Sequence, residues 1–283
     1  MSEQAAGYDG LTGLAVEIDR GIATVTIDHP PINLFTVELF LTMEALADRL
    51  AGDATVRVVV LRSANPEFFI AHFDVAAILT FPTDSPPPTE LNLYHRMCEA
   101  FRTMPKPTIA VIEGRVGGGG SELALSCDMR FAALPHGDHP GAIFNQPEVA
   151  LGILPGGSGT VRLSRLVGRS RALEVILGCD DIDARTAEAW GWVNRALPAD
   201  ELWPFVHRLA TRLAGFPAHA LAAAKAAVLR AETGVEADLL AEGEAFNGTL
   251  GGPGTQEAMR AFLARGGQTR DGELRLGELA GEI

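Results

Sequence analysis

The chain has few of the features that mark membrane proteins, secreted proteins or nucleic-acid-binding proteins. No apolar run approaches the roughly 18 residues of a membrane span, so no membrane association is predicted. Lys and Arg number 23 against 36 Asp and Glu, a net charge of −13, which is opposite to the basic surface that nucleic acids require. The first ten residues, MSEQAAGYDG, contain no basic region followed by an apolar stretch, so a cytoplasmic location is expected.

Cysteine is also scarce. The three cysteines, Cys98, Cys127 and Cys179, are widely separated and lie in apolar surroundings, which indicates reduced core thiols and not a disulfide framework. The segment HGDH at 136–139 has metal-capable side chains but no regular ligand spacing, and no metal site is expected. An apolar fraction of 47% with 21% charged residues is typical of a globular protein with a substantial core.

Strand and helix patterns alternate along the first two thirds of the chain. Residues 14–28 alternate polar and apolar side chains around Asp19-Arg20-Gly21, the pattern of a β-hairpin. The next segment, FTVELFLTMEALADRLAGD, has apolar residues at helical spacing between a Thr36 N-cap and Gly52. Further strands and helices follow, which indicates an α/β fold.

The pattern changes near residue 200, where the strand signals stop. Four helical stretches rich in Ala and Leu are predicted, at 200–214, 217–232, 235–250 and 254–265. Such helices pack either against another subunit or on their own core. At the ends of the chain, residues 1–10 are expected to be flexible and residues 267–283 to be poorly ordered.

Four consecutive glycines, Gly117 to Gly120, stand ahead of Glu122 in VGGGGSELALSCD. A dinucleotide-binding G-x-G-x-x-G motif starting at Gly117 would need glycine at position 122, and the GK[ST] of a P-loop is absent. Ser121 and Ser158 both lack the G-x-S-x-G context of a serine nucleophile. The remaining readings are a plain turn or a set of bare backbone N–H groups at a helix start, which would form an oxyanion hole.

Two carboxylates each precede an apolar run. Glu122 leads into LALSC, and Glu148 follows Pro147 in FNQPEVALGILPGGSGT. Acidic residues are common in the first turn of any helix, so each carboxylate alone has an ordinary structural explanation. Together, two buried carboxylates with raised pKa values could divide general base and general acid work around one water.

The segments GRVGGGGSELALSCDMRFA and FNQPEVALGILPGGSGTVRLSRLVG together resemble the core of the enoyl-CoA hydratase/isomerase, or crotonase, family. The resemblance runs from the early hairpin to about residue 265 and is most specific over residues 105–168. It implies a ClpP/crotonase-like spiral of ββα units over residues 11–199. It also implies that the helical region 200–266 builds a homotrimer or a dimer of trimers.

The resemblance assigns roles to four site residues. In the family, the thioester carbonyl of an acyl-CoA accepts two backbone N–H bonds, and by motif position the donors here are Gly119 and Phe73. Hydratases of the family use two glutamates to add water across the 2,3-double bond of a trans-2-enoyl-CoA. Glu122 and Glu148 occupy both positions, which favours hydration with no cofactor beyond the coenzyme A part of the substrate.

One segment departs from the family pattern. Where the family usually has a small run such as AGAD, this chain has AHFD at 71–74. Phe73 keeps its N–H, but its ring and the His72 imidazole could reshape the acyl pocket. Asp74 is expected to cap the next helix, and His72 is either structural or catalytic in another reaction. The departure keeps open an isomerase, hydrolase or dehalogenase on another acyl-CoA, and a CoA-ester-binding protein with little turnover.

The resemblance also suggests contacts to coenzyme A. The PPINLF loop and the oxyanion loop supply Ile32, Leu34, Ala71 and Asp74. A family Lys that helps bind the CoA phosphates is replaced by Ala76. Near the C-terminus, MRAFLARG supplies Phe262, expected to pack near adenine across subunits, and Arg265.

Overall fold

The computed structural model describes residues 7–283. The strands in this range are β1 Leu14–Asp19, β2 Ile22–Ile27, β3 Val58–Ser63, β4 Phe68–Ile70, β5 Thr108–Ile112, β6 Arg115–Gly117, β7 Met129–Ala133, β8 Ile143–Asn145, β9 Ile182–Asp183 and β10 Arg195–Leu197. The helices are α1 Val37–Gly52, α2 Val75–Ile78, α3 Leu93–Thr103, α4 Gly118–Ser126, α5 Gly159–Val167, α6 Arg169–Gly178, α7 Ala184–Trp190, α8 Ala199–Ala214, α9 Ala218–Leu229, α10 Val235–Leu250, α11 Thr255–Ala264, α12 Arg270–Glu273 and α13 Leu276–Gly281. A 3₁₀ turn covers Glu148–Leu151. The predicted α/β class is confirmed.

The described strands form two sheets. The larger sheet has six strands in the order β1-β2-β3-β5-β7-β10, and the smaller has four in the order β4-β6-β8-β9. Strands β1 and β2 pair antiparallel, whereas β2 to β10 of the larger sheet pair parallel. In the smaller sheet β4, β6 and β8 are parallel neighbours, and β9 is antiparallel to β8.

The chain alternates between these sheets. In the pairs β3 and β4, β5 and β6, and β7 and β8, the first strand joins the larger sheet and the second joins the smaller one. Helices α2 and α3 follow the first pair, and α4 follows the second. Parallel strands need a crossover connection, and the strand order shows that each unit advances by one position along both sheets. This arrangement is the spiral of ββα units that the sequence predicts.

Local sequence explains why the first elements form where they do. Arg20 and Gly21 both have positive φ, which is the geometry of the tight turn that connects β1 and β2. The Thr36 side chain accepts a hydrogen bond from the Leu39 N–H and caps α1. Asp74 caps α2 by accepting from the Ala76 N–H at 2.9 Å. These three sequence predictions are confirmed.

The main core lies between α1, α3 and the faces of the two sheets. From α1 it includes Leu39, Met43, Leu46 and Leu50, all fully buried, which confirms the apolar stripe predicted for that helix. The three cysteines are buried and free, as expected for core thiols. None of the helices within residues 7–283 is long and apolar enough to cross a membrane.

The ends of the chain are more ordered than the sequence suggests. Residues 267–283, predicted as a poorly ordered tail, form α12 and α13. Leu276 and Leu279 are buried with Phe262 in a separate cluster, so the prediction was wrong. The tail is mostly polar, so its sequence gave no sign that Leu276 and Leu279 belong to the core. Of the stretch predicted as flexible, residues 1–6 lie outside the described residues.

The rest of that stretch is anchored. Tyr8 is buried, and its hydroxyl donates a hydrogen bond to Asp53 Oδ2 at 2.9 Å. Burial, together with this bond, raises the pKa of Tyr8. The prediction of a flexible N-terminus is therefore wrong at Tyr8.

Substitution Leu279→Ala tests whether the last helices are part of the core. Leu279 is fully buried, so truncation leaves a cavity and should lower the free energy of unfolding by about 2–5 kcal/mol. Urea denaturation measures this change. Glu278→Ala, an exposed position in the same helix, should change it by less than about 0.5 kcal/mol. Equal effects from the two substitutions would mean that α13 does not pack as described.

Candidate active site

Three parallel neighbouring strands of the smaller sheet end at the same edge. Strand β4 leads into AHFD at 71–74, β6 leads into the glycine run, and β8 leads into Glu148. Because β6 lies between the other two, the glycine run is placed between the AHFD segment and Glu148. The carboxyl edge of parallel strands is where ligands bind in open α/β sheets. The segments that the sequence singled out are therefore brought together.

The glycine run allows this approach. A Cβ on Gly117 would lie 2.6 Å from the Ala71 carbonyl oxygen, and one on Gly120 would lie 2.5 Å from the Ile70 carbonyl oxygen. Both distances are too short for nonbonded atoms, so a side chain at either position would push β4 away. At Gly118, which has φ +43°, the collision would be with Glu148 Oε1 at 2.9 Å. The run is therefore required by packing.

Glu122 lies in α4 with its carboxylate buried. Its Oε1 accepts hydrogen bonds from the N–H groups of Gly157 and Gly159, at 2.8 and 2.9 Å. Burial raises the pKa of Glu122 well above its usual range, and the negative charges of Glu148 and Glu242 raise it further, whereas the two N–H bonds act against this rise. The carboxylate is thus fixed through one oxygen, which leaves Oε2 without a hydrogen bond from the described residues.

Glu148 begins the 3₁₀ turn after β8 and is also buried. Its Oε2 is enclosed but has no hydrogen-bond partner among the described residues. Burial raises the pKa of Glu148 to about 7, and a hydrogen bond from its own backbone N–H and the nearby charge of His72 limit the rise. An enclosed carboxylate oxygen without a partner is costly and marks a position where a substrate or water group is needed.

Two backbone N–H groups face the same region. Phe35 N–H donates to His72 C=O and Asp74 N–H donates to Phe35 C=O, so the Phe73 N–H between them points away from Phe35. Gly119 lies in the first turn of α4, where an N–H has no acceptor within the helix. In the described part of the chain neither N–H donates to another protein group. A Cβ on Gly119 would lie 3.3 Å from Phe73 Cβ, so the two residues are adjacent.

Aromatic rings surround Phe73. Its ring centroid lies 5.7 Å from that of Tyr94, 6.3 Å from Phe35 and 6.2 Å from Phe81. Tyr94 also donates a hydrogen bond to the Gly119 C=O at 2.7 Å and so holds the start of α4. The side chain that departs from the family pattern is thus packed into an aromatic wall beside the two N–H groups.

A model of the enoyl-CoA hydratase/isomerase family matches residues 17–269. The chain belongs to this family. It is 30% identical over 257 residues to the short-chain-enoyl-CoA hydratase of Clostridium acetobutylicum, covering 90% of this chain and 96% of that protein. It is 30% identical over 255 residues to the crotonyl-CoA hydratase of Syntrophomonas wolfei, covering 89% and 95%.

A solved structure supports the same family. The protein of Streptomyces avermitilis for which enoyl-CoA hydratase activity is proposed has a TM-score of 0.86 and 37% identity to this chain. The match covers 96% of this chain and 98% of that chain. The resemblance predicted from the glycine and glutamate segments is confirmed, and with it the crotonase fold.

Two residues that sequence reasoning missed support this family site. Tyr94 anchors Gly119, and its place on the apolar face of α3 with Cys98 and Phe101 was a usable signal. Glu242 of α10 accepts hydrogen bonds from the Ser158 N–H at 2.6 Å and from His95 Nε2 at 3.1 Å. No local sequence pattern identifies Glu242, because Ser158 is 84 residues away along the chain.

The coenzyme A candidates are placed unevenly. Ile32 and Ala71 pack beside each other near Leu34, and the Ala71 N–H donates to the Ile32 C=O at 3.3 Å. Asp74 is only partly buried, and Arg265 is exposed at the end of α11. These positions are close to the AHFD loop or to the surface, and their contacts with coenzyme A stay predictions.

Phe262, the remaining coenzyme A candidate, is buried and does not lie at the surface. The ring is 1% exposed inside the cluster formed by its own chain, and it packs edge-on against His72 at 5.6 Å. An enclosed ring has no free face for an adenine, so the contact expected for Phe262 is corrected to a core role. Within residues 7–283 no cluster of three or more metal-capable side chains occurs. In the HGDH segment, His139 Nε2 donates to the Pro66 C=O, and His139 Nδ1 accepts from the Gly141 N–H.

Substitution Glu148→Gln tests the burial of this carboxylate through the pH dependence of stability. The folded-state pKa of Glu148 is raised to about 7, so its stabilising proton is present at low pH and is lost as pH rises through that value. Gln resembles the protonated form. The free energy of unfolding of the variant relative to the parent should therefore be higher at about pH 8 than at about pH 5.5, by more than about 1 kcal/mol.

Urea unfolding at both pH values measures this difference. The exposed Glu244→Gln substitution is the matched control and should show no such pH dependence. A Glu148→Gln effect that is the same at both pH values would show that Glu148 is not a buried group with a raised pKa.

Proposed function

We propose that the protein adds water across the 2,3-double bond of a trans-2-enoyl-CoA. The observation that carries the proposal is the enclosed and unpartnered Glu148 Oε2, which lies at the same strand edge as Glu122 and the two free N–H groups. Relatives of similar length that are named hydratases support the same reaction. The thioester is recognised through its carbonyl oxygen, and no cofactor beyond coenzyme A is invoked.

In the proposed reaction the thioester oxygen accepts hydrogen bonds from the N–H groups of Phe73 and Gly119. These bonds stabilise the negative charge that develops on this oxygen when the water oxygen bonds to C3. One carboxylate of the pair Glu122 and Glu148 takes a proton from the water, and a proton from the pair is delivered to C2. The double bond is consumed, one C–O and one C–H bond form, and the thioester stays intact.

The electrostatics of the pair suit this exchange. Burial raises both pKa values, and the charge of Glu148 opposes ionisation of Glu122. Two interacting carboxylates titrate as a pair, so near neutral pH the pair can hold one proton. One ionised and one protonated carboxyl is the state that both accepts and donates a proton.

The remaining family expectations are also proposals. We infer that the AHFD loop, Ile32, Leu34 and Arg265 contact coenzyme A. We further propose assembly into a homotrimer or a dimer of trimers, because α9 has no buried residue and its Val228 is 71% exposed. An apolar helix with this exposure is typical of a subunit interface. The cytoplasmic location stays a prediction.

Glu122→Gln and Glu148→Gln test the pair directly. Each variant should lower kcat for hydration of crotonyl-CoA by about a hundredfold or more, because an amide of similar shape cannot exchange a proton. The loss of enoyl-thioester absorbance follows the reaction. Glu244→Gln is the control on an exposed carboxylate. Turnover by either site variant at the parent rate would rule out the paired mechanism.

Phe73→Ala tests whether the aromatic wall selects the acyl chain. The variant keeps the backbone N–H but removes a ring that contacts Tyr94 and Phe35, so the pocket should widen. We expect kcat/KM for octenoyl-CoA relative to crotonyl-CoA to rise by about tenfold or more. An unchanged ratio would mean that the ring does not face the acyl chain.

Assays of the parent and of Phe73→Ala with these enoyl-CoA substrates also distinguish hydration from the alternative functions. A parent that binds CoA esters without turnover, together with an active Phe73→Ala variant, would favour a CoA-ester-binding protein whose acyl channel is blocked. Products that carry a shifted double bond or free coenzyme A would instead favour an isomerase or a hydrolase.

A further inference from the structure

His72 is held between two acceptors. Its Nδ1 lies 2.7 Å from the Phe73 carbonyl oxygen, and its Nε2 lies 3.0 Å from Glu273 Oε1. A carbonyl oxygen can only accept a hydrogen bond, so Nδ1 must carry a proton. Glu273 Oε1 also accepts from the Gln268 N–H at 2.7 Å, as expected for a carboxylate. With Glu273 ionised, as its lowered pKa favours, Nε2 donates as well and the ring is an imidazolium.

This imidazolium lies beside the site. A Cβ on Gly118 would be 3.0 Å from His72 Cβ and 2.9 Å from Glu148 Oε1, so these atoms lie within about 6 Å of each other across the glycine. Both His72 and Glu273 are almost fully buried, where charges interact strongly. The positive charge of His72 therefore acts on Glu148, and the ring binds the C=O of Phe73.

The ring binds the Phe73 C=O, which belongs to the peptide between Phe73 and Asp74. The Phe73 N–H, proposed to face the thioester oxygen, belongs to the preceding peptide, whose His72 C=O accepts from the Phe35 N–H. The ring therefore holds Phe73 from its carbonyl side. The C-terminal segment reinforces the loop, because Gln268 Nε2 donates to Asp74 Oδ1 at 2.8 Å. The tail that was expected to be poorly ordered is therefore attached to the oxyanion loop at His72 and at Asp74.

We propose that His72 is a positioning residue for the reaction: paired with Glu273 of the C-terminal segment, it fixes the Phe73 residue in the oxyanion hole and places a positive charge beside Glu148. The proposal rests on the proposed hydration. It assigns a use to the imidazole that the usual AGAD-type segment lacks.

The charges around His72 agree with this role. Burial is the largest single effect and opposes the charge, but the charge and hydrogen bond of Glu273, the bond to Phe73 C=O and the charge of Glu148 together raise the pKa of His72 to about 9. Burial would raise the pKa of Glu273, but His72, then the Gln268 N–H and then Arg115 hold it below its usual range. Arg115 is itself paired with Asp181 at 2.6 Å. The charged groups facing the ring thus favour its protonated form.

His72→Gln tests the proposal, since Gln keeps a hydrogen-bond donor but carries no charge. For hydration of crotonyl-CoA we expect kcat to fall about tenfold or more with KM changed by less than about threefold, because the oxyanion bond strengthens in the transition state. The acid limb of the kcat profile should move up by roughly one pH unit, because loss of the positive charge raises the pKa of Glu148. A merely structural residue would not move this limb.

Glu273→Gln should shift the limb in the same direction, and the double variant should shift it no further than the larger single effect. Arg270→Gln is the control. Arg270 lies in the same C-terminal segment as Glu273, and the substitution breaks its exposed ion pair with Glu67. The values of kcat and the pH profile should therefore stay at those of the parent.

A second readout does not depend on turnover. In protein labelled with ¹⁵N-histidine, the resonances missing from His72→Gln identify this ring among the seven histidines. We expect imidazolium shifts at both nitrogens up to about pH 8. A neutral ring in an active parent, or an unmoved acid limb, would overturn the positioning role and leave the hydration intact. A parent inactive on every enoyl-CoA would overturn the proposed function and this role with it, whatever the ring charge.

Discussion

The close approach of the glycine run to its neighbours is the constraint on which the site depends. The run continues from β6, the middle one of three parallel strands, and a Cβ at Gly117 or Gly120 would collide with backbone oxygens of the segment after β4 or of β4 itself. At Gly118 it would collide with Glu148. Without side chains, α4 can start inside this gap with its first N–H groups uncapped. The same contacts therefore bring together the donors and carboxylates.

Placing several carboxylates in one apolar region costs electrostatic free energy. Backbone N–H groups that donate hydrogen bonds to these carboxylates offset part of this cost. Glu122 is stabilised by two N–H groups that precede or begin α5, and Glu242 by the N–H groups of Ser158 and Val161. Glu148 has no such bond through its Oε2, and its pKa is lowered only by its own backbone N–H and by the charge of His72. Burial raises the pKa of both site carboxylates, but only Glu122 accepts hydrogen bonds from the backbone of another segment.

The sequence predicted those parts of the molecule that have a local signal. The hairpin at Arg20-Gly21, the Thr36 cap and the two glutamates in their apolar runs are readable from neighbouring residues, and the resemblance linked the glutamates. Sheet order is not local, so the meeting of three strand ends appears only in the structure. The His72–Glu273 pair joins residues 201 positions apart, and the tail that supplies Glu273 has a polar composition. Neither the His72–Glu273 pair nor the packing of the tail could therefore be predicted from neighbouring residues.

Hydration of crotonyl-CoA in H₂¹⁸O, followed by mass spectrometry of the product, tests the central claim most directly. If the paired carboxylates direct water to C3 of a thioester held by two N–H groups, the product carries one ¹⁸O in a hydroxyl on C3, and its thioester is intact and unlabelled. Release of coenzyme A with ¹⁸O in a free carboxylate would contradict the account. So would a moved double bond with no ¹⁸O incorporated.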